Sequence, residues 1–131
     1  IYTRCTTYCS VQGGDFARLQ DRLAQPMAEG RVALLSISFD LEHDDARQLA
    51  AYQAREKSRG AGWIAARPTS AADLGALMRA FGVIAIADEF GGYAHNAAIN
   101  VVDPQGRLVE ILDWDAAAQA EHSLRHALST P

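Results

Sequence analysis

Helical and strand patterns alternate along the 131 residues, and that alternation predicts an α/β sandwich, a central β-sheet with helices on both faces. Two further observations agree. The length suits one domain that buries most of its unfolded apolar surface and is too short for two ordinary ones, so residues 1–131 are expected to form a single domain. Hydrophobic residues at 49% and charged residues at 21% match soluble globular chains, which argues against disorder or a fibrous repeat.

The chain opens on Ile1-Tyr2 as the end of a β-strand, with no Met and no charged segment followed by an apolar one, so it reads as a fragment whose N-terminal strand is truncated. Gly13-Gly14-Asp15 precedes Phe16, Leu19, Leu23 and Met27, the buried stripe of an amphipathic helix with Asp15 as N-cap and Gly30 as stop. Residues 32–39 are nearly continuously apolar at their start and predict a strand covered on both faces, ended by Asp40. Glu42, Asp44 and Asp45 suit the first turn of a second helix running to about Ser58. Arg59-Gly60-Ala61-Gly62 then links it to a short strand at 63–66. Ser70-Ala71-Ala72-Asp73 is a capping-box pattern, Leu74, Leu77, Met78 and Phe81 fall on one face, and Gly82 ends that helix. A short strand at 83–87 leads to a polar, glycine-rich loop at 88–93. Residues 97–102 and 107–112 flank Asp103-Pro104-Gln105-Gly106, a type I turn signal that predicts a β-hairpin. An Ala-rich helix at 115–128 closes the chain.

Several function classes are excluded. A formal charge of −4 without a Lys/Arg cluster argues against a nucleic-acid partner. No apolar run reaches the roughly 18 residues of a membrane span, and no phosphate loop, dinucleotide fingerprint or hydrolase elbow is present. The two cysteines, Cys5 and Cys9, are too few for a disulfide scaffold; so close a pair reads as a redox couple, a metal clip or a short structural disulfide. A helix N-terminus and Arg4 beside them favour ionised sulfur. His95, beyond the glycine-rich loop, is the imidazole candidate. Two thiolates and one imidazole form a soft set that suits copper(I) and, with a further weak ligand, copper(II), whereas structural zinc normally takes four ligands. His122 and His126 share a helix face but have no carboxylate or cysteine at useful spacing, and His43 sits in what reads as a solvated helix start. Trp63, Trp114, Tyr2, Tyr52 and Phe81 read as core or edge packing. A strand running into a cysteine pair at a helix start narrows the sandwich to a thioredoxin-like fold.

Ile1-Tyr2-Thr3-Arg4-Cys5-Thr6-Thr7-Tyr8-Cys9, the strand ending Ser36-Ile37-Ser38-Phe39-Asp40, Tyr93-Ala94-His95-Asn96, and Val101-Val102-Asp103-Pro104-Gln105-Gly106-Arg107-Leu108 resemble, in that order, the Sco/SenC family. The resemblance runs from Ile1 to about Trp114. It implies an exported, membrane-anchored, thioredoxin-like copper protein that assists assembly of the binuclear copper site in subunit II of cytochrome c oxidase, or of another copper-site apoprotein. The implied copper ligands are Cys5, Cys9 and His95, the implied location is the bacterial periplasm, and the anchor would lie upstream of Ile1. The alternative activity is thiol-disulfide exchange, with Cys5 and Cys9 as the catalytic redox pair reducing the cysteines of the oxidase copper site. A static disulfide in an interaction module is a third reading. Two departures stand out: Thr6 and Ser10 occupy places where the family usually has Pro, and Ala94 stands where it usually has Asp before the His. The family's N-terminal hairpin and the earlier part of the strand are absent upstream of Ile1, so the sheet is expected to expose an edge or to be completed by another chain, as in a strand-completing dimer.

Overall fold

The computed structural model describes residues 1–60 and 62–129; Ala61, within the expected Arg59–Gly62 link, lies outside them. In chain order the elements are α1 (Tyr8–Arg22), α2 (Ala24–Ala28), β1 (Leu34–Ile37), α3 (Ala46–Arg55), β2 (Trp63–Ala66), α4 (Ala71–Phe81), β3 (Ala85–Ala87), β4 (Tyr93–His95), β5 (Ala98–Val102), β6 (Leu108–Asp113) and α5 (Ala117–Ser129). The strands form three two-stranded ladders. β1 and β2 pair in parallel, Leu34 opposite Trp63 and Ile37 opposite Ala66, which requires a crossover that α3 supplies. β3–β4 and β5–β6 are antiparallel.

The main core gathers Leu19, Leu23 and Met27 from α1 and α2, Leu49 and Tyr52 from α3, and Leu34, Trp63 and Ala65 from the parallel ladder. The Trp63 indole N–H donates to Ser36 Oγ at 3.0 Å, which satisfies a polar atom that burial would otherwise strand. A second cluster joins Ile99, Val101 and Leu112 to Ala120 of α5, and Phe16 packs against both clusters. The helix ends are where their residues place them. Ser70 Oγ accepts from the Asp73 N–H at 3.0 Å, and Gly82 leaves α4 at φ 65°, a left-handed exit that glycine adopts without Cβ strain.

Four expectations are corrected. First, α1 begins at Tyr8 and runs through Gly13-Gly14, so Asp15 is an interior residue paired with Arg18 and not an N-cap. A Cβ at Gly13 would run into the Glu56 side chain; the glycine there permits close packing and does not break the helix. Second, β1 is covered on one face. Leu34 and Ser36 are buried, while Leu35 is 56% exposed. On that side the half-buried stripe of α4 stands across a cavity of about 280 Å³ that β1 and β5 also line. Third, Asp45 alone caps α3, accepting from the Arg47 and Gln48 N–H groups, and Asp44 is fully buried where a solvated first turn is expected. Fourth, the loop at 88–92 is the turn of a hairpin, and Tyr93 and His95 lie on its second strand instead of in the loop or between loop and strand. Asp88 Oδ1 accepts from Phe90 and Gly92 N–H at 2.8 Å each and Gly91 takes φ 80°, which places His95 on β4 opposite Ala85.

Ile1 lines the same cavity as β1 and β5. Its nitrogen donates to Ile37 O at 2.9 Å and its carbonyl accepts from Phe39 N–H at 3.1 Å, one rung of a parallel ladder with β1. Beyond that rung the inner edges of β1 and β5 face the cavity, and Asn100 Oδ1 on β5 is buried there without a partner among the described residues.

The two adjacent helix glycines are expected to respond differently to alanine. Gly14 meets only an Arg18 nitrogen at 4.0 Å, so Gly14→Ala is expected to stabilise by about 0.5–1 kcal/mol through helix propensity. Gly13→Ala must displace Glu56 and is expected to lose that gain or reverse it. Urea denaturation of the two variants measures the difference, and equal stabilisation would refute the packing role given to Gly13.

Candidate metal centre

Cys5 lies just before α1, in a turn closed by its own N–H donating to Tyr2 O at 3.1 Å, and Cys9 lies in the first turn of the helix. Both are buried, at 4% and 3% exposure, and both are free thiols. His95 arrives from β4. The two sulfurs and a ring nitrogen of His95 all lie within 4.8 Å of one another, and this is the metal-competent group found among the described residues. His43, His122 and His126 are outside it. The three residues singled out in the sequence therefore meet, although Cys5 precedes the helix and His95 is on a strand.

Two buried carboxylates on the loop after β1 position the cysteine segment. Asp44 accepts from the Thr3 N–H at 2.9 Å, from the Thr3 hydroxyl at 2.5 Å and from the Ser38 hydroxyl at 2.5 Å. Asp40 holds the next residue, accepting from Arg4 Nη2 at 2.9 Å on Oδ2, while its Oδ1 lies 3.0 Å from His43 Nδ1 and 3.3 Å from the donating Tyr93 hydroxyl. Burial opposes ionisation of Asp40, but Arg4 and then His43 outweigh it and hold the carboxyl below its usual range. Burial, followed by the neighbouring Asp40 charge, pushes the Tyr93 phenol up, so it remains a proton donor.

An aromatic group closes round the imidazole. The His95 ring meets Tyr2 edge-on at 5.7 Å and Phe39 at 5.3 Å, and Tyr93 meets the same two rings at 5.2 and 5.1 Å. His95 Nδ1 lies 2.8 Å from Asn96 O. A carbonyl only accepts, so we assign the proton to Nδ1 and the free lone pair to Nε2, the usual arrangement for a ligating histidine.

The two thiols are unequal. Burial pushes Cys5 up, but hydrogen bonds from the Cys9 thiol, the Cys9 and Thr7 N–H groups and the Thr7 hydroxyl outweigh it and bring it down to about 6. Burial and the bond it donates to Cys5 push Cys9 up to about 12. These opposed shifts favour ionisation of Cys5 before Cys9.

Asp40, Asp44, Tyr2, Phe39 and Tyr93 join the site although none of them reads as a site residue by itself; all but Asp44 fall within the segments that carry the family resemblance. Tyr2 reads from the sequence as ordinary packing, and Asp44 as part of a solvated first turn.

A cysteine pair at the mouth of a helix, faced by an imidazole within an α/β framework, defines a thiol protein equipped for soft-metal or redox chemistry. The sequence profile of the SCO1/SenC family matches residues 1–128, and the chain belongs to that family. The fold is thioredoxin-like, as in the family's solved structures. A SCO1/SenC family lipoprotein from Bacillus anthracis str. Ames aligns with a TM-score of 0.83 at 17% identity, covering 98% of this chain and 77% of its own. ScoI from Arabidopsis thaliana, solved with copper bound, gives 0.73 at 20% identity over 95% and 80% of the two chains. ScoI from Bradyrhizobium japonicum, also solved with copper bound, gives 0.73 at 19% over 94% and 80%. No curated protein matches the chain by sequence.

Two outcomes are expected here. Asp44→Ala strands three buried donors and is expected to cost about 3 kcal/mol in urea denaturation; a loss below about 1 kcal/mol would contradict the clamp. Cys5 is expected to alkylate far faster than Cys9 at pH 7, its rate rising with pH through about 6 as the thiolate forms. Mass spectrometry of iodoacetamide-treated protein across pH 5–8 reads both.

Proposed function

We propose that the protein takes up copper through Cys5, Cys9 and His95 and passes it by ligand exchange to the binuclear copper site of cytochrome c oxidase subunit II, or to another copper-site apoprotein. The observation that carries this reading is the meeting of two thiols and an imidazole nitrogen within 4.8 Å. The donor set fits copper(I): two soft sulfurs and an Nε2 whose lone pair is free because Nδ1 is bonded to Asn96 O. Both thiols are buried, and family members from a plant and a bacterium are solved with copper. Loading both sulfurs displaces the Cys9 proton, so uptake releases protons and strengthens as pH rises. We place the protein on the exported side of the membrane, in the periplasm, a placement consistent with a family member described as a lipoprotein; no helix among the described residues is long and apolar enough to cross a membrane. The open inner edges of β1 and β5 suit completion by a further strand, such as that of a second copy.

The unequal thiols favour a second reading, thiol-disulfide exchange. The Cys5 thiolate would attack a disulfide of the partner, releasing one partner thiolate and forming a mixed disulfide. Cys9, after losing its proton, would then attack Cys5 Sγ and release the second partner thiol, leaving Cys5–Cys9 oxidised and the partner reduced by two electrons.

Anaerobic titration of the reduced protein with copper(I) against a competing chelator tests the first reading. One tight stoichiometric site is expected, lost in Cys5→Ser and strongly weakened in His95→Ala. Weak binding indifferent to His95, together with a Cys5–Cys9 potential well above roughly −300 mV, would favour the second.

A further inference from the structure

We infer that the Tyr93–Asp40 hydrogen bond is a latch that holds hairpin β3–β4, and with it His95, against the two thiols, making Tyr93 and Asp40 positioning residues of the centre. The inference rests on the copper reading above for its functional meaning. Its structural basis is separate. The ligands come from two bodies: Cys5 and Cys9 stand at the start of α1, whereas His95 is carried by a hairpin whose two strands pair only with each other. Orientation of the hairpin therefore sets the distance from the imidazole to the sulfurs.

Strand geometry makes Tyr93 the handle. Side chains two apart on a strand point to the same face, so Tyr93 and His95 both face Tyr2 and Phe39, while Ala94 between them is exposed. At the far end of the Tyr93 ring the hydroxyl donates to Asp40 Oδ1 at 3.3 Å, and Oδ2 of the same carboxylate receives Arg4 Nη2 at 2.9 Å. Arg4 adjoins Cys5. One buried carboxylate thus joins the segment bearing the thiols to the hairpin bearing the imidazole. Asp40 is itself held by its N–H donating to Ser38 Oγ at 3.0 Å and by Asp44 N–H donating to its carbonyl at 3.0 Å, so it is a fixed point against which the hairpin is set. The aromatic contacts alone define an edge-on approach but allow sliding; the hydroxyl adds direction.

Tyr93→Phe removes the hydroxyl and keeps the ring, so the fold is retained. In metal-free reduced protein, hydrogen exchange of the β3–β4 amides is expected to quicken roughly five-fold, as loss of one hydrogen bond implies, while β5–β6 exchange and the Cys5–Cys9 potential stay unchanged. Copper(I) affinity is expected to fall roughly ten-fold, in the range for residues that orient a ligand, and the same substitution in a His95→Ala background is expected to produce no further loss. Unchanged β3–β4 exchange would overturn the latch. Unchanged affinity, or an equal loss with and without His95, would overturn the positioning role. Failure of the unsubstituted protein to bind copper(I) would overturn the copper reading and the positioning role with it, and the exchange comparison, which needs no metal, would still decide whether the hairpin is latched.

Discussion

Asp40 and Asp44, four residues apart on the loop that follows β1, grip the two residues that precede Cys5. Buried carboxylates are costly unless donors surround them. Asp44 is surrounded by the Thr3 N–H, the Thr3 hydroxyl and the Ser38 hydroxyl, and Asp40 by Arg4, His43 and Tyr93. Arg55 adds a bond to the Thr3 carbonyl at 3.2 Å. Thr3 is therefore held at its N–H, its hydroxyl and its carbonyl, and the turn into Cys5 starts from a defined point. The entry of the chain into α1, the placing of both sulfurs and the seating of Tyr93 all follow from these two acids.

With the backbone set in this way, the thiols differ through their surroundings and not through their chemistry as free side chains. Cys5 gathers donors from the first turn of α1, whereas Cys9 sits deeper and donates to it. Such asymmetry serves exchange with a disulfide, in which one sulfur attacks and the other resolves. In the proposed copper reading, a proton would compete with the metal for Cys9. The same pair thus supports both chemistries, and His95 distinguishes them: an imidazole with a free Nε2 beside two sulfurs is useful to a metal and unnecessary for disulfide exchange.

Packing is uneven across the molecule. The parallel ladder and α1 to α3 share one dense core around Trp63 and Tyr52, both essentially fully buried. On the other side α4 has no buried residue, a cavity separates it from β1 and β5, and the hairpin exposes Ile86 and, at 88%, Phe90. Elements with few buried apolar contacts open at low free energy. The imidazole is thus mounted on the less firmly packed half of the molecule and the thiols at the start of α1, on the more firmly packed half.

Much of this was legible in the residues. The Ser70 cap, the Gly82 exit and the Asp103–Gly106 turn are signals written within a few neighbouring positions, and the elements they mark form where expected, whereas the Phe16–Met27 stripe is shared by two helices that part at Leu23. The β2 strand at Trp63–Ala66 likewise follows from its residues, and Cys5, Cys9 and His95 lie together in the structure. Other features depend on contacts between residues far apart in the chain, which no local period encodes. Gly13-Gly14 reads as the lead-in to a helix capped at Asp15, yet α1 runs through both, and Glu56, more than 40 residues on, occupies the space a Cβ at Gly13 would need. Asp44 reads as a solvated helix start until Thr3 folds over it. Tyr93 reads as a loop residue until the hairpin turns it toward Asp40. The donor types, two sulfurs and an imidazole, follow from side-chain chemistry and so belong to the sequence; how unlike the two thiols become and what holds the imidazole depend on burial and hydrogen bonding, and only the folded chain supplies those.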